Sequence, residues 1–188
     1  PTDLILAEEI DKLAKLGIVS ELTHTFPNVP QHTIRLKVVP KTDENCEPTG
    51  EWRMIVCGWY VSLNEDVPHF QGPSDRDLAR WLRRKSFLSR YDAKKFFHQI
   101  ATRARNQLIT TFWHPVHRTR WKFDVMSMGI RGASRVAQSL SGMIAKFLTT
   151  MGIEAFAYCD EIMTQGSSQI LASLAQIVMV CLAQFLGI

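Results

Sequence analysis

The chain has 188 residues, of which 46% are hydrophobic and 21% charged, with a formal net charge of +4. This length supports a core without disulfide or metal staples, and the composition excludes disordered, collagen-like and mucin-like proteins. The four cysteines form no CxxC pair, which favours free thiols in an intracellular compartment, cytoplasmic or nuclear. Because the first residue is Pro1, we expect a fragment of a longer protein, and its acidic opening residues predict no signal peptide.

The charge is distributed unevenly along the chain. Residues 1–79 have a net charge of −6, residues 80–135 a net charge of +12, and residues 136–188 a net charge of −2. A basic segment with interleaved aromatic residues is typical of a surface that binds nucleic-acid phosphates, whereas a single run of charge is more often a solvated face. Asp92 and Asp124 are the only acidic residues of the basic segment.

The N-terminal half predicts two helices and a hairpin. An opening helix is indicated by three apolar residues at helical spacing and by a glycine that can end it: Leu6, Ile10, Leu13 and Gly17. Residues 33–39 and 52–60 predict the two strands of a hairpin, with a polar loop at 41–50 between them. Ser74 and Asp77 have the spacing of a capping box before a short helix.

The second half predicts further strands at 87–92, 108–113, 120–125, 154–158 and 162–163, with a tight turn at Cys159-Asp160. Residues 133–151 predict a helix. Its inward face is expected to consist of five large apolar residues: Val136, Leu140, Met143, Phe147 and Met151. This order of elements predicts an α+β fold with an antiparallel sheet backed by helices, because the regular alternation of a doubly wound sheet is absent.

Residues 162–188 contain a long apolar tract that suits either a membrane span or a helix buried against the sheet. Ser173, Gln176 and Gln184 fall near one face of a helix. These polar residues favour the buried helix, with no membrane partner.

Two short segments carry acidic residues at strand ends: Asp92 follows one strand, and Asp160 and Glu161 lie in a strand-turn-strand unit. If these strands are antiparallel neighbours, the three carboxylates converge. Clustered carboxylates resist joint ionisation unless a cation neutralises them, and their oxygens suit Mg²⁺, with Mn²⁺ as an alternative. Two such ions can activate a hydroxyl and stabilise a leaving pyrophosphate, which is the chemistry of nucleotidyl transfer. Acidic turn residues are common, so this spacing alone is a weak signal.

Other residues allow two interpretations. His114 and His117, with Cys46 or Cys57, offer zinc ligands, but their spacing matches no zinc finger, so we expect two ordinary turn histidines. The aromatic residues of 112–113 and 121–123 alternate as strand residues do, which fits core packing as well as base stacking.

Six motifs follow one another along nearly the whole chain. They are the opening helix with Gly17-Ile18-Val19, the Lys41 and Arg53 hairpin with Leu63-Asn64, the Asp92 strand, the Gly129 loop, the Tyr158 turn and Phe185-Leu186-Gly187. The order of these motifs resembles the reverse transcriptases of retroviruses and of long-terminal-repeat or tyrosine-recombinase-type retrotransposons.

The resemblance implies a right-hand polymerase with fingers in residues 1–85, a palm in 86–188 with an inserted fingers-side hairpin around 101–125, and no thumb. The implied activity is RNA-directed DNA synthesis from deoxynucleoside triphosphates (dNTPs) on a primed RNA or DNA template. The implied partners are this template-primer and the rest of a polyprotein, with a thumb and an RNase H.

The resemblance also implies roles for individual residues. The catalytic, metal-binding group is Asp92, the Ala93 carbonyl, Asp160 and Glu161. The nucleotide-binding group is Lys41, Arg53, Gly129 and Phe97, whose ring would occupy the space of a ribose 2′-hydroxyl and so select deoxynucleotides. The residues expected to contact nucleic acid are Tyr158, Arg131 and Gln138.

The chain departs from the family's pattern at functional positions. Glu161 stands where the family has a second aspartate, and Ser134 replaces a proline. These departures leave a second function open, a catalytically degenerate domain that only binds nucleic acid. An RNA polymerase that shares the palm is a further alternative, which Phe97 at the sugar gate opposes.

Overall fold

The computed structural model describes residues 2–23, 33–58, 71–82 and 86–187, apart from the side chain of Arg131. The chain forms two compact units, residues 1–67 with 98–133 and residues 68–97 with 134–188. The expected Leu63-Asn64 motif lies outside the described residues, and the division into fingers and palm stays a prediction.

The helices and strands, in chain order, are α1 (Thr2–Lys15), β1 (Val19–Glu21), β2 (Arg35–Thr42), β3 (Pro48–Cys57), α2 (Asp75–Trp81), β4 (Phe87–Asp92), α3 (Ala104–Gln107), β5 (Thr111–Trp113), β6 (Arg120–Phe123), α4 (Arg131–Thr150), β7 (Glu154–Tyr158), β8 (Glu161–Gly166) and α5 (Gln169–Leu186). Short 3₁₀ helices span Phe96–Gln99 and Leu108–Thr110. The predicted helices and nearly all of the predicted strands are therefore present.

The first unit contains a three-stranded antiparallel sheet in the order β1-β6-β5 and the separate β2-β3 hairpin. Its core is formed by Ile10 of α1 and six strand or strand-flanking residues: Ile18, Val19, Ile34, Leu36, Phe112 and Phe123. The rings of Phe112 and Phe123 lie 5.4 Å apart and are 1% and 0% exposed. These two aromatic residues therefore pack in the core and do not offer stacking surfaces to bases.

The predicted hairpin is present, but its strands extend into the region expected to be a polar loop. Val39 lies opposite Arg53, and the pairing continues to Thr42 opposite Pro48. The turn is short because the Asp43 carboxylate accepts hydrogen bonds from the backbone N–H groups of Asn45 and Glu47, each at 2.9 Å.

The predicted strand at 108–113 begins only at Thr111. Residues 108–110 form a 3₁₀ turn, in which the Thr110 hydroxyl donates to the Gln107 carbonyl at 3.0 Å. This local side-chain bond competes with the extended backbone that the apolar residues favour. The expectation of a strand was therefore wrong at its first three residues.

The second unit contains a three-stranded antiparallel sheet in the order β4-β8-β7, with α4 and α5 packed on one face. Its core joins the two helices to the sheet through Ile144, Ala145, Leu148, Ala157, Ile162, Met179 and Ala183. The capping box at Ser74 and Asp77 is formed as predicted, with both reciprocal hydrogen bonds present at the start of α2.

The expected inward face of α4 was wrong. Val136, Leu140, Met143, Phe147 and Met151 are all exposed, by 36% to 67%. The buried face instead consists largely of small residues, together with two larger apolar ones: Ala133, Ala137, Ser141, Ile144, Ala145 and Leu148. Small side chains let the helix backbone approach the sheet closely, which a pattern of large apolar residues does not reveal.

The helix α5 packs on β4 and β8 through Ala172, Ala175, Met179 and Ala183. Its larger apolar residues, such as Ile170 and Phe185, are exposed, so the expectation of a buried helix holds only for its sheet-facing side. By length and composition α5 is also apolar enough to cross a membrane, which is weak evidence because core helices of soluble proteins meet the same criterion.

Candidate active site

The register of the second sheet brings the residues that carry the predicted carboxylates to one end of the sheet. Asp92, the last residue of β4, lies directly opposite Glu161, the first residue of β8, and Glu161 in turn lies opposite Tyr158 of β7. Directly opposed residues of antiparallel strands have Cα atoms about 4.5–5.5 Å apart. Three of the predicted site residues therefore occupy neighbouring positions at one end of the sheet.

Asp160 joins this group through the backbone. The two-residue turn Cys159-Asp160 connects β7 to β8, with Cys159 at a φ of 51°, a region that residues other than glycine rarely adopt. The Ala93 N–H donates to the Asp160 carbonyl at 3.0 Å. This bond ties the end of β4 to the turn, so that Asp92, Ala93, Asp160 and Glu161 form one cluster.

Gln138 of α4 holds the turn from the helix side. Its Nε2 donates to the Ala157 carbonyl at 2.9 Å, and its Oε1 accepts from the Cys159 N–H at 2.8 Å. Both halves of the amide are thus engaged with the backbone on either side of Tyr158. The observed contacts make Gln138 a support for the turn, and the expected contact with nucleic acid stays a prediction.

Strand alternation sends the functional side chains away from the helices. Ile162 and Ala157 pack toward α4 and α5, so their neighbours along the strands face the opposite side. On that side a cavity of about 500 Å³ lies between the sheet and the start of α2. It is lined in part by Tyr158 and Glu161, and the exposed position of Tyr158 leaves the cluster accessible from solvent.

The carboxylates differ in their surroundings. Those of Asp92 and Asp160 make no hydrogen bond or ion pair with another described residue. Glu161 Oε1 contacts Arg90 Nε at 2.5 Å. Burial raises the pKa of the Cys159 thiol, and the adjacent Asp160 charge adds to this effect, so Cys159 is a neutral neighbour of the cluster.

The donor set fits a hard divalent cation in part. Asp92 and Asp160 offer carboxylate oxygens, and Ala93, the residue after Asp92, offers its carbonyl oxygen. This carbonyl already accepts a hydrogen bond from the Phe96 N–H at 3.2 Å. Oxygen ligands of this kind suit Mg²⁺. Glu161, the fourth predicted ligand, instead contacts a cationic side chain.

The predicted triphosphate ligands lie in the first unit. Lys41 and Arg53 are exposed on the β2-β3 hairpin, where Arg53 pairs with Val39, two residues before Lys41. Lys41 Nζ contacts Glu51 at 2.6 Å, and this contact lowers the pKa of the Glu51 carboxyl. The basic segment 80–135 is divided between the two units.

The backbone conformation and surroundings of Gly129 require a glycine. Its φ is 83°, and a Cβ there would lie 2.3 Å from the Val56 carbonyl oxygen. The close approach seen in the structure is to β3, and the approach to a nucleotide stays a prediction. The side chain of Arg131, predicted to contact nucleic acid, lies outside the described part of the structure.

Phe97 is buried, at 7% exposure, in the 3₁₀ helix that follows Asp92. Its ring packs edge-to-face with that of Phe96, which is 4% exposed, at a centroid distance of 6.4 Å. This position is directly beyond the carboxylate strand, and the role of sugar gate stays a prediction.

Sequence reasoning missed two features of the site, the Arg90 contact and the observed clamp by Gln138. Arg90 precedes Asp92 by two residues, so strand alternation places both on one face and signals a cation beside the carboxylates. The Gln138 clamp had no comparable local signal, because its partners lie 19 and 21 residues away in the sequence.

The histidine pair belongs to a different cluster from the one considered for zinc. His114 and His117 lie close to Asp11 of α1, within 4.8 Å between possible ligand atoms. However, His114 Nδ1 accepts hydrogen bonds from the backbone N–H groups of Val116 and His117. The neutral ring therefore carries its proton on Nε2, which leaves no lone pair there for a metal. The geometry favours a turn-stabilising histidine.

No protein-family model and no curated protein matches this chain. Among solved structures, a prototype foamy virus protease-reverse transcriptase is similar with a TM-score of 0.67 at 16% identity, covering 93% of this chain and 22% of that one. A foamy viral protease-reverse transcriptase in complex with double-stranded DNA has a TM-score of 0.66 at 19% identity, covering 93% and 28%. The chain thus spans roughly a quarter of the length of these proteins.

The chain has a fold that is found within retroviral protease-reverse transcriptases. This confirms the expected α+β class, with an antiparallel sheet backed by helices. At these identities the likeness establishes the fold, and the chemistry has to be argued from the site.

Proposed function

We propose that this chain supplies the fingers and palm of an RNA-directed DNA polymerase that extends a primer with deoxynucleotides on an RNA or DNA template. The observation that supports this most is the convergence of Asp92 and Asp160 at one sheet end, with both carboxylates unpaired among the described residues. The retroviral reverse-transcriptase fold and a neighbour in complex with double-stranded DNA agree with a template-primer duplex as the partner.

In this proposal Asp92, the Ala93 carbonyl and Asp160 hold Mg²⁺, or Mn²⁺ in its place. When bound, two such ions would lower the pKa of a primer 3′-hydroxyl and neutralise the leaving pyrophosphate. The chain's own contribution is a rigid frame: the β4-β8 register, the Ala93–Asp160 bond and the Gln138 clamp hold the ligand-bearing backbone in place before substrate arrives.

The basic hairpin residues are assigned to the incoming dNTP. Arg53 suits a phosphate through the planar fork of its guanidinium, and Lys41 acts as a point charge once it leaves Glu51. Because the Lys41–Glu51 pair is exposed and screened by water, little free energy is needed to separate it. The thumb and an RNase H of a larger polyprotein complete the proposed enzyme.

Primer extension by the full-length protein tests the function. We expect Asp92→Asn and Asp160→Asn each to reduce extension by about a thousandfold or more, because each removes a metal ligand, with folding and duplex binding retained. The control is Asp3→Asn, an aspartate in the first turn of α1, which should extend at the parental rate. Extension near the parental rate in either site variant would contradict the assignment.

The sugar preference tests Phe97 separately. We expect Phe97→Val to raise ribonucleotide relative to deoxynucleotide incorporation by about tenfold, because the smaller side chain admits a 2′-hydroxyl. Phe96→Val is the matched control, since both rings are similarly buried and their truncation costs similar stability. The same sugar preference in both variants would make Phe97 a core residue only.

The Arg90–Glu161 contact favours a second candidate function, a catalytically silent domain that binds nucleic acid, because it engages a predicted metal ligand with a cation. Absence of extension in the parent protein, with duplex binding retained, would support that candidate over the polymerase.

A further inference from the structure

We propose that Arg90 is a positioning residue that holds Glu161 away from the bound metal and so sets the metal affinity of the carboxylate cluster. The inference rests on the proposed function, because it concerns the same divalent-cation site. It assigns to Arg90 a role that the resemblance to the reverse transcriptases does not imply.

The strand geometry explains how the two side chains meet. Arg90 lies opposite Met163, and Asp92 lies opposite Glu161, so Arg90 and Glu161 are diagonal neighbours on one face of the sheet. Diagonal positions lie about 7–8 Å apart, which long side chains can span. The Nε–Oε1 distance of 2.5 Å shows that they do.

The same geometry gives a physical reason for a glutamate, in place of an aspartate, at position 161. An aspartate at position 161 would be shorter by one C–C bond, about 1.5 Å, and would reach less far toward Arg90. The extra methylene therefore serves a contact along the sheet. Arginine and glutamate at these two positions act as a pair.

The pair changes the charge that a metal meets. Asp92, Asp160 and Glu161 would together present three negative charges, but the positive charge of the Arg90 guanidinium offsets that of Glu161. A cation entering the cluster must compete with Arg90 for Glu161, or bind through Asp92, Asp160 and the Ala93 carbonyl alone. Either route weakens the binding.

Exposure limits the size of the effect. The Arg90 side chain is 68% exposed and that of Glu161 is 24% exposed, so water screens the pair and either partner can turn away. Arg90 therefore adjusts the metal affinity of the cluster, and it does not block the site. We expect a two- to five-fold change when Arg90 is removed.

The test is Mn²⁺ binding to the full-length protein without nucleic acid or nucleotide, measured by calorimetry and by the electron paramagnetic resonance signal of free Mn²⁺. We expect Arg90→Gln to bind Mn²⁺ two- to five-fold more tightly, and Arg90→Lys, which keeps the charge, to stay close to the parent. The matched control is Arg80→Gln, an exposed arginine of the same unit whose ion-pair partner is Asp77. It should leave the affinity unchanged.

A double-mutant cycle separates the proposed contact from a general charge effect. In a Glu161→Gln background, Arg90→Gln should no longer tighten Mn²⁺ binding, because no carboxylate remains to be released. Equal tightening in both backgrounds would mean that Arg90 acts on the metal through space, which overturns the positioning role. Unchanged or weaker affinity in Arg90→Gln overturns it as well.

Asp92→Asn distinguishes the two proposals. If it weakens Mn²⁺ binding while Arg90→Gln has no effect, the site stands and only the role of Arg90 fails. If parent and Asp92→Asn bind Mn²⁺ equally, or neither binds it, the proposed metal site fails, and the role of Arg90 fails with it. Circular dichroism of each variant verifies that the fold is retained.

Discussion

The β2-β3 turn and the β7-β8 turn each contain an aspartate, but they use it differently. In the first, the Asp43 carboxylate accepts two backbone N–H groups of its own turn. In the second, Gln138 reaches in from α4 and bonds the backbone at Ala157 and Cys159, while the Asp160 carboxylate bonds no other described residue. A turn stabilised from outside leaves its carboxylate free for a ligand.

Of the changes that test this comparison of turns, removal of the Gln138 clamp has the largest expected effect. Gln138→Leu leaves the Cys159 N–H and the Ala157 carbonyl without this partner, and because both bonds are part-buried the cost is at most about 1–3 kcal/mol for each group. We expect lower stability in urea unfolding and, because the ligands lose their frame, about 10- to 100-fold slower primer extension. Ser139→Ala is the control, since the Ser139 hydroxyl is exposed and bonds only within α4.

The Gln138 variant also decides between the two roles of this residue. A loss of extension without a loss of stability would contradict the clamp and support the predicted contact with nucleic acid. A loss of stability with normal extension would show that the turn does not need the clamp for activity.

A smaller effect is expected at the β2-β3 turn, which the Asp43 carboxylate stabilises from within. Asp43→Ala removes two exposed backbone bonds, so we expect a loss of about 1 kcal/mol of unfolding free energy and unchanged Mn²⁺ affinity. Asp43→Asn, which keeps an acceptor, should lose less. Reduced Mn²⁺ affinity in Asp43→Ala would break the comparison, because this carboxylate would then serve a ligand.

The site was predictable from sequence where it depends on local pattern. The two-residue turn after Tyr158 specifies the β7-β8 register and so places Tyr158 opposite Glu161. The position of Asp92 opposite Glu161 depends on the pairing of β4 with β8, which are far apart in sequence, and it was expected only if these strands are neighbours. The Gln138 clamp was not predictable in the same way, since it depends on how α4 lies on the sheet. That packing was misjudged, because the buried face of α4 consists largely of small residues such as Ala137 and Ala145.

In the β2-β3 hairpin, the strand pairing was predictable but the side-chain contacts were not. Pairing of β2 with β3 was predictable and places Arg53 near Lys41, but the Lys41–Glu51 contact depends on exposed side-chain conformations. Long exposed side chains have many rotamers of similar energy, so sequence specifies their position on the strand better than their partner.

The smallest expected effect concerns a third turn, between β5 and β6, which His114 stabilises from within. Burial lowers the pKa of His114, and the nearby His117 adds to this, while Asp11 and Glu21 act in the opposite direction. The unfolded chain therefore binds the proton more readily than the folded one, so this contribution to stability is present above about pH 6.5 and is lost as pH falls below it. His114→Asn keeps an acceptor for the Val116 and His117 N–H groups but does not titrate. We expect it to flatten the decline in unfolding free energy between pH 7.5 and 5.5, measured by urea titration at each pH; an unchanged slope would mean that other groups cause the decline.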